Sequence, residues 1–381
     1  MPNSRAETRS KHQRARGSAI AGHATAAGTK RFVQRFSADY SPEFYRGLSN
    51  NVSVSSIGMG TYLGDCDDVE DARYVTVLAA GLEHGLNLLD TAINYRCQRS
   101  ERAVGEAIRI AVDVGLAQRD EIVVATKGGY IPLEGSPPES RQLYDVYLAS
   151  EYFDKGIMTA EDVVSGGHSL NPAFLANQIQ RSLMNLGLAT IDIYYLHNPE
   201  QQRVALDRPR FRSVITSAFA ELESQVRRGT IQCYGCATWH GFRLDPSSPG
   251  HLSLEELVEV ARETGGEDHH FRVVQLPLNL AMTEAVRVPT QTVDGQQVSL
   301  LEAAAALGVS VVASASLMQS QLTHGLPSEL AVAFPSLTTD AQRALAFVRT
   351  MPLPLCAALV GMRRLDHLSE NLGAAREVIV S

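Results

Sequence analysis

From Ser55 onward, short β-branched or apolar runs alternate with segments whose apolar residues recur at helical spacing. "SSIGMGTY" precedes "DARYVTVLAAGLEHG", and "NLLDTAINY" precedes "SERAVGEAIRIAVDVG". In the latter, Ala103, Val104, Ala107, Ile108, Ala111 and Val112 form one stripe, which predicts an amphipathic helix. "EIVVATKGG" is a third strand, followed after a long gap by "PAFLANQIQRSLMNLGL". "IDIYYLHNP", "IQCYGCATW", "FRVVQLPLNL", "VSVVASASL" and "LCAALVGM" continue the series, each with a helical segment behind it. Glycines at 85, 115, 187, 229 and 308 close several of the helices.

Eight strand–helix units in succession predict an α/β fold, a closed (β/α)8 barrel spanning 31–381. The first strand–helix turn reads "GMGTYLGD" and lacks the G-x-G-x-x-G that opens a dinucleotide-binding open sheet. One connection breaks the rhythm. Residues 130–169, after strand three, form a long insertion of the kind that serves as a lid or binding loop. Its Tyr144, Tyr147, Tyr152 and Phe153 either line a pocket or pin the loop. A shorter irregular stretch, 200–209, follows strand four.

Composition narrows the picture. The net charge of -8 disfavours nucleic acid and anionic membranes as partners. No apolar run approaches the roughly 20 residues that span a bilayer. Five cysteines in 381 residues make no disulfide framework and fit a reducing, cytoplasmic setting. Cys233 and Cys236 form a C-x-x-C, but a strand would point them to opposite faces. Residues 1–30 are basic, rich in Ala, Gly and Ser, and lack apolar periodicity. They read as a disordered tail, with an organelle transit peptide or an early start site as alternatives.

The strand ends carry the candidate chemistry. Asp90 ends strand two with Tyr95 in the loop beyond; Lys127 ends strand three, His197 ends strand four, and Gln275 lies in strand six. In a barrel these ends converge on one mouth. A carboxylate at a buried strand end is tolerated where a lysine faces it. A phenol has an ordinary pKa of about 10, and a nearby ammonium lowers it. Tyr95 held by Lys127, itself held by Asp90, is then a proton donor, with His197 orienting a carbonyl oxygen. Singly, each residue also reads as a turn cap, a solvated lysine or a core histidine.

At these residues the sequence resembles the aldo-keto reductases. The motifs are "DTAINYRCQRSERAVGEA", "VVATKGG", "RSLMNLGLATIDIYYLHNP", "VVQLP", "SASLMQSQLT" and "LVGMRRLDHLSENLGA". The resemblance implies a TIM barrel that reduces an aldehyde or ketone, or oxidises an alcohol, with a nicotinamide cofactor and no metal. It implies Tyr95 as general acid, Lys127 and Asp90 as its tuners, and His197 as the carbonyl-orienting group. For the cofactor it implies Thr61, Tyr62, Asp90, Thr238 and Gln275 near the nicotinamide. Leu317, Gln319 and Gln321 would lie along the pyrophosphate, and Gly361, Arg363, Arg364, His367, Glu370 and Asn371 at the adenosine end. Two arginines at a helix N-terminus favour a 2′-phosphate, hence NADP(H) over NAD(H). There are departures: strand five ends in Ala237-Thr238 where the family commonly has Ser-Asn or Ser-Arg, and strand seven has Ser314 where many members carry a stacking aromatic. The altered contacts leave open a catalytically weak cofactor-binding regulator like the potassium-channel β subunits. A Schiff-base aldolase using Lys127 is a third reading. The expected partner is a small carbonyl or sugar.

Overall fold

The computed structural model describes residues 18–378. Eight parallel strands close into a barrel in chain order: β1 (Ile57–Gly60), β2 (Leu88–Asp90), β3 (Val123–Gly128), β4 (Ile191–His197), β5 (Ile231–Ala237), β6 (Phe271–Pro277), β7 (Ser310–Ser314) and β8 (Leu355–Gly361). Behind them run α1 (Asp68–Glu83), α2 (Arg99–Asp113), α3 (Pro172–Leu186), α4 (Arg208–Arg227), α5 (Leu254–Gly265), α6 (Leu300–Ala306), α7 (Asp340–Arg349) and α8 (Leu365–Ala375). The expected (β/α)8 barrel is therefore the observed fold.

Two-residue periodicity sorts each strand into an inner and an outer row. Leu88, Val123, Ala125, Ile193, Tyr195, Cys233, Val273, Val312 and Leu359 fill the barrel interior. Leu89, Val124, Tyr194, Leu196, Tyr234, Cys236, Val274 and Val360 pack outward against the helices. Cys233 and Cys236 accordingly lie in different cores, as strand geometry requires. Continuing the inner row to the carboxyl ends of the strands puts Asp90, Lys127, His197, Ala237, Gln275, Ser314 and Gly361 at one mouth.

The opposite end is closed by a segment that the sequence does not announce. A hairpin, Tyr45–Gly47 with Ser53–Ser55, contributes Leu48, Val52 and Val54 to the interior cluster, together with Ala24. A helix, Ala26–Phe36, is capped by Thr25 and docks through fully buried Phe32. Arg31 and Arg35 both pair with buried Glu121, at 2.9 and 2.6 Å. Gly28 sits so close to the Asp120 backbone that a Cβ would lie 2.2 Å from its carbonyl oxygen. Residues 18–30, expected as part of a disordered tail, are thus folded structure; the rest of that expectation, 1–17, lies outside the described residues. The helix went unread because most of its face is polar and one phenylalanine carries the docking.

The 130–169 insertion contains a helix, Arg141–Leu148, and its own small core of Ile131, Leu148, Tyr152 and Met158 packed on Phe174 of α3. Its tyrosines pin it. The Tyr147 hydroxyl donates to the Pro132 carbonyl at 2.6 Å, and the Tyr144 hydroxyl to the Gly166 carbonyl at 2.9 Å. The stretch after β4 is likewise ordered, with a short helix at Glu200–Ala205. Among the described residues no helix is long and apolar enough to cross a membrane.

Candidate active site

The mouth of the barrel opens into a cavity of about 480 Å³. Asp90 lines its floor, with Lys127 paired behind it. The Lys127 ammonium donates to Asp90 Oδ1 at 2.5 Å and to the Thr91 carbonyl at 2.9 Å, while the Gln275 amide donates to Asp90 Oδ2 at 2.8 Å. Every oxygen of the buried carboxylate is therefore satisfied, as a charge excluded from water requires. Lys127 lies behind the cavity wall, and its ammonium stands 5.0 Å from the centre of the Tyr95 ring.

Tyr95 reaches the cavity from the loop after β2. Immediately behind it Arg96, Cys97 and Gln98 all take left-handed backbone conformations, with φ of 48°, 53° and 70°. Such residues cost roughly 1–2 kcal/mol each outside glycine, so side chains must hold the turn. Arg96 donates to the Asp65 carbonyl at 2.8 Å and pairs with Asp71; the Gln98 amide donates to the Leu133 carbonyl at 3.0 Å. The following Ser-Glu has a local purpose. The Ser100 hydroxyl donates to the Thr61 carbonyl at 2.8 Å, and buried Glu101 accepts from Thr126 of β3 at 2.7 Å. Helix α2 is thereby tied to both neighbouring strands, which fixes where Tyr95 emerges.

His197 faces Tyr95 edge-on with ring centres 5.7 Å apart, and Tyr62 packs on the other side at 5.0 Å. The backbone carbonyl of His197 accepts from buried His168 Nε2 at 2.8 Å, and Tyr130 lies between the two histidines, 5.0 Å from each ring. The four groups proposed from the strand ends are thus together at one rim.

Electrostatics depart from the expectation in one respect. Burial, then the Asp90 carboxylate, push the Tyr95 phenol well above its ordinary value. The lowering expected from the ammonium is outweighed, because Lys127 is engaged by Asp90 at contact distance and burial and the Asp90 charge act the other way. Burial also pulls Lys127 down, opposed by Asp90. Burial and the Lys127 charge hold His197 well below the usual imidazole range, so it is neutral.

Of the expected cofactor contacts, Thr61, Tyr62, Asp90, Thr238, Gln275, Leu317, Gln319 and Gly361 line the cavity. Gln321, His367, Glu370 and Asn371 do not. Gln321 and His367 are exposed, whereas Asn371 is buried in α8. Arg363 and Arg364 line a separate groove with Asp68, Ala72 and Arg73 of α1, where Arg363 pairs with Glu70 at 3.2 Å and Arg364 with Asp366 at 2.5 Å. The cavity holds several polar atoms that are buried without partners: Thr238 Oγ1, Ser316 Oγ, Asn94 Oδ1 and His197 Nδ1. Asn94, Asn198, Trp239 and Ser316 were not singled out from the sequence. Only their places directly beyond strand ends, or beside Tyr95, could have flagged them. Of the 130–169 insertion, Tyr130 alone lines the cavity.

The chain is 28% identical over 201 residues to the NADH-specific methylglyoxal reductase of Escherichia coli (strain K12), covering 50% of each chain. It is 28% identical over 167 residues to the D-threo-aldose 1-dehydrogenase of a Pseudomonas species, covering 44% of each. The match thus spans about half the length of these curated relatives. Among solved structures, an aldo/keto reductase from Klebsiella pneumoniae in complex with NADP and acetate superposes with a TM-score of 0.57 at 22% identity, over 88% of this chain and 90% of that one. The glycerol dehydrogenase of Gluconobacter oxydans superposes with a TM-score of 0.59 at 18% identity, over 89% and 92%. These two establish the likeness of fold. The sequence profile of the aldo/keto reductase family matches residues 56–381, and the chain belongs to that family.

Proposed function

We propose that this chain is an NADP(H)-dependent oxidoreductase that interconverts a small aldehyde or ketone, or a sugar, with the corresponding alcohol. The observation that carries the reading is the gathering of Asp90, Tyr95, Lys127 and His197 around one cavity. A nicotinamide fits the donors present: the unpartnered Thr238 Oγ1 and Ser316 Oγ are hydroxyls that an amide or phosphate would satisfy. The bound cofactor supplies the hydride.

The chain's own residues supply position and the proton. Tyr95, its phenol held protonated by burial, donates that proton to the carbonyl oxygen during reduction. Neutral His197 hydrogen-bonds the same oxygen and orients it, adding no charge beside the phenol. Lys127 stabilises the phenolate left behind, because proton loss from Tyr95 leaves an anion 5.0 Å, ring centre to ammonium, from that lysine, and Asp90 holds the lysine in place. Where the alcohol is oxidised, the same phenolate takes the proton back. The relatives above are named for carbonyl and aldose substrates, which supports a small polar carbonyl as the substrate class.

Arg363 and Arg364, at the entry to α8, are the guanidinium groups that would select a 2′-phosphate. Cofactor oxidation followed at its near-ultraviolet absorbance with a panel of aldehydes, ketones and aldoses tests the proposal. NADPH consumption with at least one carbonyl is expected. No consumption with any carbonyl, in a chain that still binds NADPH, would favour the regulatory reading instead.

A further inference from the structure

The loop after β5 carries the only tryptophan of the chain, Trp239, into the wall of the cavity, with the residue 38% exposed. Its backbone is gripped from both sides. The Trp239 N–H donates to Glu200 Oε1 at 2.8 Å and the His240 N–H to the same oxygen at 3.0 Å. The Trp239 carbonyl accepts from Arg243 Nη2 at 3.1 Å, and Arg243 pairs with both oxygens of Glu284 at 3.1 Å. Glu200 belongs to the loop after β4 and Glu284 to the loop after β6, so three consecutive loops are linked through one residue's main chain.

Glu200 is an expensive residue to place there. It is 5% exposed, its Oε2 is buried with no partner among the described residues, and no lysine or arginine among them pairs with it. Backbone hydrogen bonds to a carboxylate are roughly twice as strong as neutral ones. A buried carboxyl group whose Oε1 accepts from the N–H groups of residues 239 and 240 therefore serves to fix that backbone. Strand seven carries Ser314 at the mouth, with no aromatic, so on the side formed by the loops after β5 and β7 Trp239 is the aromatic ring that lines the cavity.

Building on the oxidoreductase reading, we infer that Trp239 is a specificity-determining wall of the substrate pocket and that Glu200 is its positioning residue. The wall selects carbonyl compounds that present a flat apolar face at the end away from the carbonyl. An aryl ring and the C–H face of a sugar share that chemistry; a three-carbon carbonyl has no such face. Arg243 completes the clamp by holding the carbonyl side of the same peptide.

The experiment uses the whole chain with benzaldehyde, an aldopentose and methylglyoxal as probes. Trp239→Ala is expected to lower kcat/KM about tenfold for benzaldehyde, for the aldopentose or for both, equivalent to roughly 1.4 kcal/mol, while methylglyoxal changes less than about threefold. An equal loss for all three, or no loss, overturns the specificity assignment. Glu200→Ala is expected to increase acrylamide quenching of Trp239 fluorescence in the cofactor-free chain and to raise KM for the flat substrates with kcat little changed. Glu200→Gln keeps the accepting oxygen and is expected to restore both. Quenching in a folded Glu200→Ala chain equal to wild type overturns the positioning role; Arg243→Met, which releases the Trp239 carbonyl, reads the same clamp if Glu200→Ala does not fold. Should no probe be turned over by wild type, the oxidoreductase reading fails, and the quenching comparison still decides whether Glu200 holds Trp239.

Discussion

Replacing Lys127 with methionine removes one charge from an almost fully buried pair. The two side chains are 1% and 6% exposed and 2.5 Å apart. At an effective dielectric constant of about 20, two unit charges at that separation attract by roughly 7 kcal/mol, much of which desolvation offsets. Asp90 keeps the Gln275 amide but loses its only counter-charge. Breaking such a pair costs about 3–5 kcal/mol because an uncompensated charge stays buried. Lys127→Met should therefore lower the unfolding free energy in urea by about that amount, and Asp90→Asn by a similar one. The double variant, with two neutral side chains of nearly unchanged volume, should return to within about 2 kcal/mol of wild type, giving a coupling energy of at least about 4 kcal/mol. Turnover should be lost in all three. Additive losses in the double variant, or single losses below about 1 kcal/mol, would refute the claim that this is a closed, mutually dependent pair.

Three further outcomes test other parts of the structure. Phe32→Ala should destabilise the protein by about 3–5 kcal/mol in urea unfolding, although it lies at the opposite end from the cavity; a surface-like effect would mean that the N-terminal helix is not part of the core. Burial holds the His168 imidazole down at about 4, below its unfolded value of about 6.5, so the unfolded chain takes up the proton first as pH falls. Its contribution is complete above pH 6.5 and is lost as pH falls toward 4, by up to about 1.4 kcal/mol per pH unit. The slope of stability against pH between about 6.5 and 5 should drop by roughly one proton in His168→Gln, and an unchanged slope would contradict the assignment. Arg363→Ala/Arg364→Ala should raise KM for NADPH about tenfold while leaving NADH within about threefold, and equal effects on both cofactors would remove the 2′-phosphate role.

The barrel and the polar rim at its mouth were legible because both rest on periodicity. Alternating strands and helices repeat eight times, and inward parity carries Asp90, Lys127, His197 and Gln275 to the same end once the strands are placed. What escaped depends on tertiary contact. The docked helix at Ala26–Phe36 is polar apart from a few positions, and its arginines are explained by Asp120 and Glu121, some 85 to 90 residues away in sequence. The left-handed turn at Arg96–Gln98 has no glycine to mark it and is held by Asp65, Asp71 and Leu133, none of them adjacent in sequence. Glu200 lay in a stretch that looked irregular, and its role depends on N–H groups about 40 residues away, at Trp239 and His240. The direction of the Tyr95 shift also needed coordinates, since it turns on whether Lys127 faces the phenol with a free charge or one already paired with Asp90. The tyrosines of the insertion were visible, but only their hydrogen bonds to Pro132 and Gly166 show that they anchor the segment to itself.

The most direct measurement is made on Tyr95→Phe, which removes one oxygen from the rim and leaves the ring against Tyr62 and His197. NADPH binding, read through energy transfer from Trp239, should stay within about threefold of wild type, while turnover of the best carbonyl falls by a factor of about 10²–10⁴. Turnover within about tenfold of wild type would show that the proton comes from elsewhere.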